Sequence, residues 1–268
     1  MSQWVTHVSS AITLLSILLA ISSFAPRVIK YFNRRRYIRG ILISKNPLSL
    51  SFPIHEMVAS VSLAHEYDVL VLNDVIGIKK IINFCNEINK KVYLSVEDNR
   101  PLELDEFHIG GPMGNSRTNA IFREHFENRF LITVPEKHEE TYRVGKRDTT
   151  QVNYSNSEST FYTFGRSDNG RQKYHHEVKK DSCDLIFYIR IVTGNKAEHI
   201  LFCNFGDNSQ KAVDYLTVNT KMLYEMLSNA GCKKGNCFII IPIDTSARKV
   251  DTRAYSSKPI DLTDIMFR

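Results

Sequence analysis

The stretch best suited to chemistry is Glu106-Phe107-His108-Ile109-Gly110-Gly111-Pro112-Met113-Gly114-Asn115-Ser116-Arg117. A short apolar run enters a glycine-rich turn and leaves through polar residues that can open a helix. Glycines let a backbone approach a ligand closely and adopt positive φ. A helix start presents unpaired N–H groups and a partial positive charge. Together they make a cradle for an anion such as phosphate. Gly110, Gly111 and Gly114 would supply the backbone, and Asn115, Ser116 and Arg117 further donors. No Lys-Ser/Thr pair follows at Walker spacing, and the glycines do not fit the dinucleotide fingerprint. A tight structural turn explains the same residues without a ligand.

Gly206-Asp207-Asn208-Ser209 forms a second junction of this kind. If the strands before the two turns are parallel neighbours, both turns share the carboxyl edge of one sheet. Open α/β sheets bind ligands there. Asp207, Asn208 and Ser209 are therefore ligand candidates too. Asp74 ends an apolar run, placed either to bond a ribose hydroxyl or to cap a helix. His108 is either a core histidine or a ligand contact. His175-His176-Glu177 reads as a solvated loop, and as strand neighbours they would face opposite sides.

No nucleophile elbow, paired-carboxylate motif or zinc spacing occurs. No catalytic residue, metal ligand or cofactor is assigned. The cysteines (Cys85, Cys183, Cys203, Cys232, Cys237) are odd in number and scattered, as expected of buried free thiols in a reducing compartment. Cys232 and Cys237 bracket a turn but lack a matching ligand pair.

The elements that would position these residues alternate strand and helix. Pro53 can open a helix carrying Ile54, Met57, Val58, Val61 and Ala64 at helical spacing. Asp68–Leu72 reads as a buried parallel strand, followed by a helix to about Asn89 and a strand over Lys91–Val96, a βαβ unit. Further strands are expected at 107–109, 130–134, 185–192, 199–205 and 237–243. Helices are expected from Arg117 to about Asn128 and from Ser209 to Ala230, the second closed by Gly231. Residues from about 136 to 180 turn polar, with short β-like pieces, and read as a β-rich insertion or exposed loop. The tail from Thr245 reads as weakly structured. The fold class is α/β: a Rossmann-like, mostly parallel sheet behind an N-terminal transmembrane helix.

That helix is read from Trp4 to Ala25, which carries no Lys, Arg, Asp or Glu. As a helix it reaches roughly 30 Å, about one bilayer core. The first ten residues lack Lys and Arg, against a secretory signal peptide. After Pro26 come Arg27, Lys30, Arg34, Arg35, Arg36 and Arg39, a run that can account for the net charge of +6. A buried core helix is not usually followed by such a run. The positive-inside rule places the N-terminus outside and the rest in the cytoplasm. Aromatic and aliphatic residues interleave the basic ones, suiting a juxtamembrane helix on anionic lipid heads. The reading divides the chain into an anchor (1–26), a basic segment and linker (27–52) and a cytosolic domain (53–268). Nucleic acid is not an expected partner.

With Gly110-Gly111-Pro112, Asn115 and Gly206 to Ser209, the chain resembles an uncharacterised bacterial Rossmann-like domain having a strand, a Gly-Gly-Pro turn with a nearby Asn, and a helix. The resemblance covers roughly residues 68 to 243; the later junction lacks that pattern's second glycine and its Gly-Thr pair. A membrane helix joined to such a domain also resembles the layout of membrane effectors of bacterial nucleotide-signalling immunity, which implies an antiviral defence role. The leading expectation is a single-pass membrane protein at the cell membrane, sensing a nucleotide or another phosphorylated small ligand. Self-association would repack its membrane helices. The rivals are a membrane-tethered nucleotide or glycosidic-bond hydrolase, using Asp74, Glu97 or Asp207, and an interaction protein without a ligand.

Overall fold

The computed structural model describes residues 2–52, 55–58, 66–69, 72–94, 103–112, 115–126, 129–134, 140–143, 159–165, 174–179, 183–203, 209–244 and 259–267. In chain order its first elements are α1 (Ser2–Leu42), β1 (Leu48–Ser51), β2 (His55–Val58), β3 (Glu66–Val69), α2 (Leu72–Asn86), β4 (Val92–Leu94) and β5 (Asp105–Ile109). Next come α3 (Ser116–Phe126), β6 (Phe130–Val134), β7 (Glu140–Arg143), β8 (Ser159–Phe164) and β9 (Tyr174–Lys179). Last are β10 (Cys183–Thr193), β11 (Lys196–Cys203), α4 (Ser209–Val218), α5 (Thr220–Asn229), β12 (Cys237–Asp244), β13 (Ile260–Asp261) and α6 (Thr263–Phe267).

A seven-stranded sheet runs β13-β12-β10-β11-β5-β1-β4. The pairs β4–β1, β1–β5 and β5–β11 are parallel, while β11–β10, β10–β12 and β12–β13 are antiparallel. Five strands therefore point one way, against β10 and β13. The fold is mixed α/β with a mostly parallel central sheet. Extra strands form a two-stranded β2–β3 ribbon and a four-stranded β7-β6-β8-β9 sheet.

Side-chain alternation along the strands divides the sheet into two faces. Leu48, Leu50, Phe107, Ile109 and Leu201 join one core with α2, α4, α5 and the end of α1. Ile200, Phe202, Leu185, Phe187 and Ile189 join the other with Ile121, Phe122 and Phe126 of α3, Phe164 of β8 and Met266 of α6. The second core is aromatic: Phe187 stacks on Phe202 with centroids 4.4 Å apart. Helices α2 and α3, which follow β1 and β5, thus lie on opposite faces. Between adjacent parallel strands, that makes a topological switch point, where a crevice opens at the strand ends.

Helix α1 is one continuous helix of 41 residues, about 60 Å long at a helical rise. The sequence suggested that Pro26 closes it, but the helix passes through Pro26 to Leu42. Proline there removes one donor, and the flanking Ile, Arg, Lys and Ala residues tolerate helix well. Leu14, Ile21, Phe24, Val28, Ile29 and Phe32 are exposed, whereas Ile38, Ile41 and Leu42 are buried in the core of the domain. Among the described residues no helix is long and apolar enough to cross a membrane.

Several local expectations change. The helix expected after Pro53 is replaced over 55–58 by β2, which pairs antiparallel with β3. The strand expected at Asp68–Leu72 is β3, two residues earlier, and Leu72 already begins α2. Four-residue segments do not separate the two periods, and pairing decides between them. The βαβ unit therefore starts at β1, inside the expected linker, and returns through α2 to β4. Helix 209–230 is broken at Asn219 into α4 and α5; the Thr217 hydroxyl donates to the Val213 carbonyl and Thr220 to that of Leu216. Gly231, at φ 74°, closes α5 as expected. In the tail, β13 and α6 bury Leu262 and Met266. His175 and His176 lie on β9 rather than in a loop: Val178 is buried, His176 half-buried, and His175 and Glu177 exposed.

A buried ion pair and a buried arginine tie these layers together. Lys90, just after α2, forms a 2.7 Å ion pair with Asp105 at the start of β5, both almost fully buried. Lys90 also donates to the Ser44 carbonyl, and Asp105 accepts from the Ala197 N–H. Arg190 of β10 is fully buried without a carboxylate partner among the described residues. Its Nε donates to the Gly235 carbonyl at 3.0 Å, one terminal nitrogen to the Ile41 carbonyl at 3.0 Å, and the other to the Cys232 carbonyl. The 232–235 segment thus presents two carbonyls to a cation. Burial pushes the thiols of Cys85 and Cys237 up to about 12 and that of Cys203 well above its ordinary value.

Removing one member of a buried ion pair leaves the other uncompensated, at a cost of about 3–5 kcal/mol. Lys90→Met is therefore expected to lower unfolding free energy by about that amount in urea titration, and adding Asp105→Leu to recover part of it. A loss below about 1 kcal/mol in the single variant, the scale of an exposed pair, would show that the pair is not buried in solution.

Candidate functional site

The switch point between β1 and β5 gathers a polar cluster on the aromatic face of the sheet. Alternation sends Leu48 and Leu50 to one core and Ser49 and Ser51 to the opposite face. On β5 it sends Phe107 and Ile109 one way and Glu106 and His108 the other. Ser51 pairs with His108 across the parallel ladder. Their side chains meet, with Ser51 Oγ 2.5 Å from His108 Nδ1. His108 is almost fully buried. Its Nε2 faces Glu106 Oε2 at 3.3 Å, within ion-pair reach but off hydrogen-bond alignment. With the Ser51 hydroxyl donating to Nδ1, the ring is the tautomer carrying its proton on Nε2, toward Glu106.

Chain direction changes at Gly110, whose φ of 103° favours glycine. Its N–H donates to the Leu201 carbonyl, which locks the turn to β11. A Cβ on Gly111 would come within 3.1 Å of the Phe202 ring. Asn115 caps α3: its Oδ1 accepts from the N–H groups of Arg117 at 3.0 Å and Thr118 at 3.2 Å. Its Nδ2 donates to the Ile109 carbonyl at 2.9 Å and reaches Ser51 Oγ at 3.4 Å. The Thr118 hydroxyl donates to the Gly110 carbonyl. Asn115 thus occupies two of the main-chain donors that an anion would use.

Arg117 is also engaged. Its Nε lies 3.2 Å from Glu106 and a terminal nitrogen 3.0 Å from Glu198. Two carboxylates around one guanidinium leave this corner net negative. Glu106 is held down to about 2, first by the facing His108 N–H, then, against the opposing effect of burial, by the charges of His108 and Arg117. Of the two contacts, Arg117 is the firmer, because its Nε makes an aligned hydrogen bond.

Of the residues chosen from sequence, Gly110, Gly111, Asn115 and Arg117 come together here. Ser116 is the exposed first residue of α3, and the cap belongs to Asn115. Ser209 is the first residue of α4, and Asp74 is the third residue of α2 rather than its cap. Gly114, Asp207, Asn208 and Glu97 lie outside the described residues. The condition placed on the two turns is met: β5 and β11 are parallel neighbours, with Leu201 opposite Ile109, so both strands end at one edge. Sequence reasoning missed Ser51 and Glu106. The available signal was alternation: Leu48-Ser49-Leu50-Ser51 and Glu106-Phe107-His108-Ile109 each put polar residues on one strand face. No protein-family model, curated protein or solved structure matches this chain.

Because the Glu106 carboxyl lies below its ordinary value of 4.5 in the folded chain, its contribution to stability is complete above about pH 4.5. It is lost as the pH falls toward 2. Glu106→Gln should therefore flatten the fall in unfolding midpoint between pH 4.5 and 2 relative to the unaltered protein. Superimposable acid profiles would show that Glu106 is solvated and unpaired.

Proposed function

We propose that this chain is a single-pass membrane protein, N-terminus outside, whose cytosolic Rossmann-like domain senses a nucleotide or another phosphorylated small ligand. The observation that carries the reading is the switch point: β1, β5 and β11 lie side by side and parallel, next to a glycine turn. That is where open α/β sheets take ligands. Since Arg117 is paired to two carboxylates, phosphate would be held by main-chain N–H groups, at the glycine turn and at the start of α4. The polar edge of Ser51 would face the uncharged end of the ligand.

The membrane reading rests on the uncharged segment Trp4–Ala25 and on the exposure of Leu14, Ile21 and Phe24, each above 55%. Arg27, Lys30, Arg36 and Arg39 are exposed on the same helix and suit anionic lipid heads. Arg34 leaves that group: it grips Glu87 through two nitrogens, at 2.5 and 2.7 Å, and donates to the Thr217 carbonyl at the break between α4 and α5. One rigid helix would carry a change in the domain to the bilayer. Self-association would then repack the membrane helices, as in a signalling-activated defence effector.

The full chain in lipid nanodiscs should gain thermal stability from a member of a panel of mono-, di- and cyclic nucleotides. At 100 times Kd the gain corresponds to about 2.7 kcal/mol. No shift across the panel would remove the sensor reading. In cells, protease added outside should leave residues 40–268 intact; their digestion would reverse the orientation.

A further inference from the structure

We propose that Ser51 is a nucleophile and His108 its general base, in a serine esterase site at the switch point that cleaves an uncharged carboxylic ester. The geometry has the parts such a step requires. The hydroxyl and the accepting ring nitrogen are 2.5 Å apart. The opposite ring nitrogen faces a carboxylate at 3.3 Å, close enough to stabilise the imidazole once it is charged. One Asn115 N–H is given to the Ile109 carbonyl, and the other points at Ser51 Oγ at 3.4 Å, from where it would turn to an oxyanion forming on the attacked carbon. Main-chain and side-chain bonds fix Asn115 in place, so this donor is preorganised.

Access and charge both fit. Ser51 is only half-buried, and the aromatic core includes no residue of β1 or β4 among those described. The site therefore lies at the margin of the packed face rather than beneath it. Glu106 and Glu198 outweigh Arg117, which disfavours a polyanion at Ser51 and suits a neutral acyl group. The inference does not depend on the identity of any sensed ligand.

In the first half-reaction, Ser51 Oγ bonds to the ester carbonyl carbon while His108 Nδ1 takes the hydroxyl proton. The C–O bond to the alcohol breaks, and His108 returns that proton to the departing oxygen. Water then attacks the acyl-serine; His108 takes its proton and gives it to Ser51 Oγ as the acid leaves. The net change is ester plus water to acid plus alcohol. Glu106 touches neither substrate nor reacting atoms and is a positioning residue.

The test treats the full-length protein in detergent with a fluorophosphonate probe, maps the adduct by peptide mass spectrometry, and follows p-nitrophenyl acetate hydrolysis. Expected are one adduct, on Ser51, and a loss of turnover of at least about 100-fold in Ser51→Ala and His108→Gln. Ser51→Ala removes one hydroxyl, so it keeps the test open if the buried His108 variant does not fold. Glu106→Gln should lower kcat while leaving KM nearly unchanged, since the imidazolium loses its facing carboxylate but the acyl site is untouched. An unlabelled Ser51 in folded protein, labelling elsewhere with turnover surviving in Ser51→Ala, or an unchanged kcat in Glu106→Gln would overturn the assignment.

Discussion

One buried cation joins the long helix to the sheet. Arg190 lies on β10, an interior strand of the sheet, and its guanidinium has main-chain carbonyls for partners: Ile41, Cys232 and Gly235. Burying a charge costs several kcal/mol unless every donor is met. Here a helix end supplies part of the compensation. Ile41 sits in the last turn of α1, where unpaired carbonyls carry the negative end of the helix dipole. The planar fork of arginine suits several fixed acceptors better than a lysine ammonium would. Sheet, 232–235 segment and α1 end therefore form together, and the long helix is continuous with the core rather than tethered by a flexible joint.

The polar site follows from the same architecture. The crossovers that follow β1 and β5 carry α2 and α3 to opposite faces of the sheet. Polar side chains persist at the switch point between the two strands: Ser51, Glu106 and His108 on the sheet, and Asn115 and Arg117 from α3. Ser51 bonds His108 Nδ1, Asn115 reaches Ser51 and Arg117 bonds Glu106, while the buried His108 Nε2 faces Glu106 without an aligned bond. A site paired to this extent has little freedom. That suits preorganised chemistry at Ser51 better than capture of a highly charged group by Arg117.

Much of the sheet was legible because its central strands are long and apolar. Leu185–Val192, Leu201–Cys203 and Cys237–Ile243 fall where their apolar runs predict, and Gly231 ends its helix for the reason its chemistry suggests. The glycine turn and the Asn115 cap were legible too, through the positive φ at Gly110 and the polar helix start. Less legible was anything decided by pairing at a distance. His55–Val58 and Glu66–Val69 are too short to announce a period, and β1 hides in a segment rich in Ser, Asn and Pro. Arg117 and Arg34 read as free basic residues until their carboxylates, Glu198 and Glu87, arrive from 81 and 53 residues away. Ser51 and His108, 57 residues apart, meet only because β1 and β5 lie side by side.

Continuity between α1 and the site-bearing sheet is measured most directly by native-state hydrogen exchange on the full chain in lipid nanodiscs. Docking through Arg190 requires the amides of residues 38–42 to exchange as slowly as those of β10 and β11. In Arg190→Met they should exchange far faster than those strands, as the last turn of α1 frays from a core that remains folded. Residues 38–42 exchanging at the rate of an exposed helix end in the unaltered protein, or keeping full protection in Arg190→Met, would contradict it.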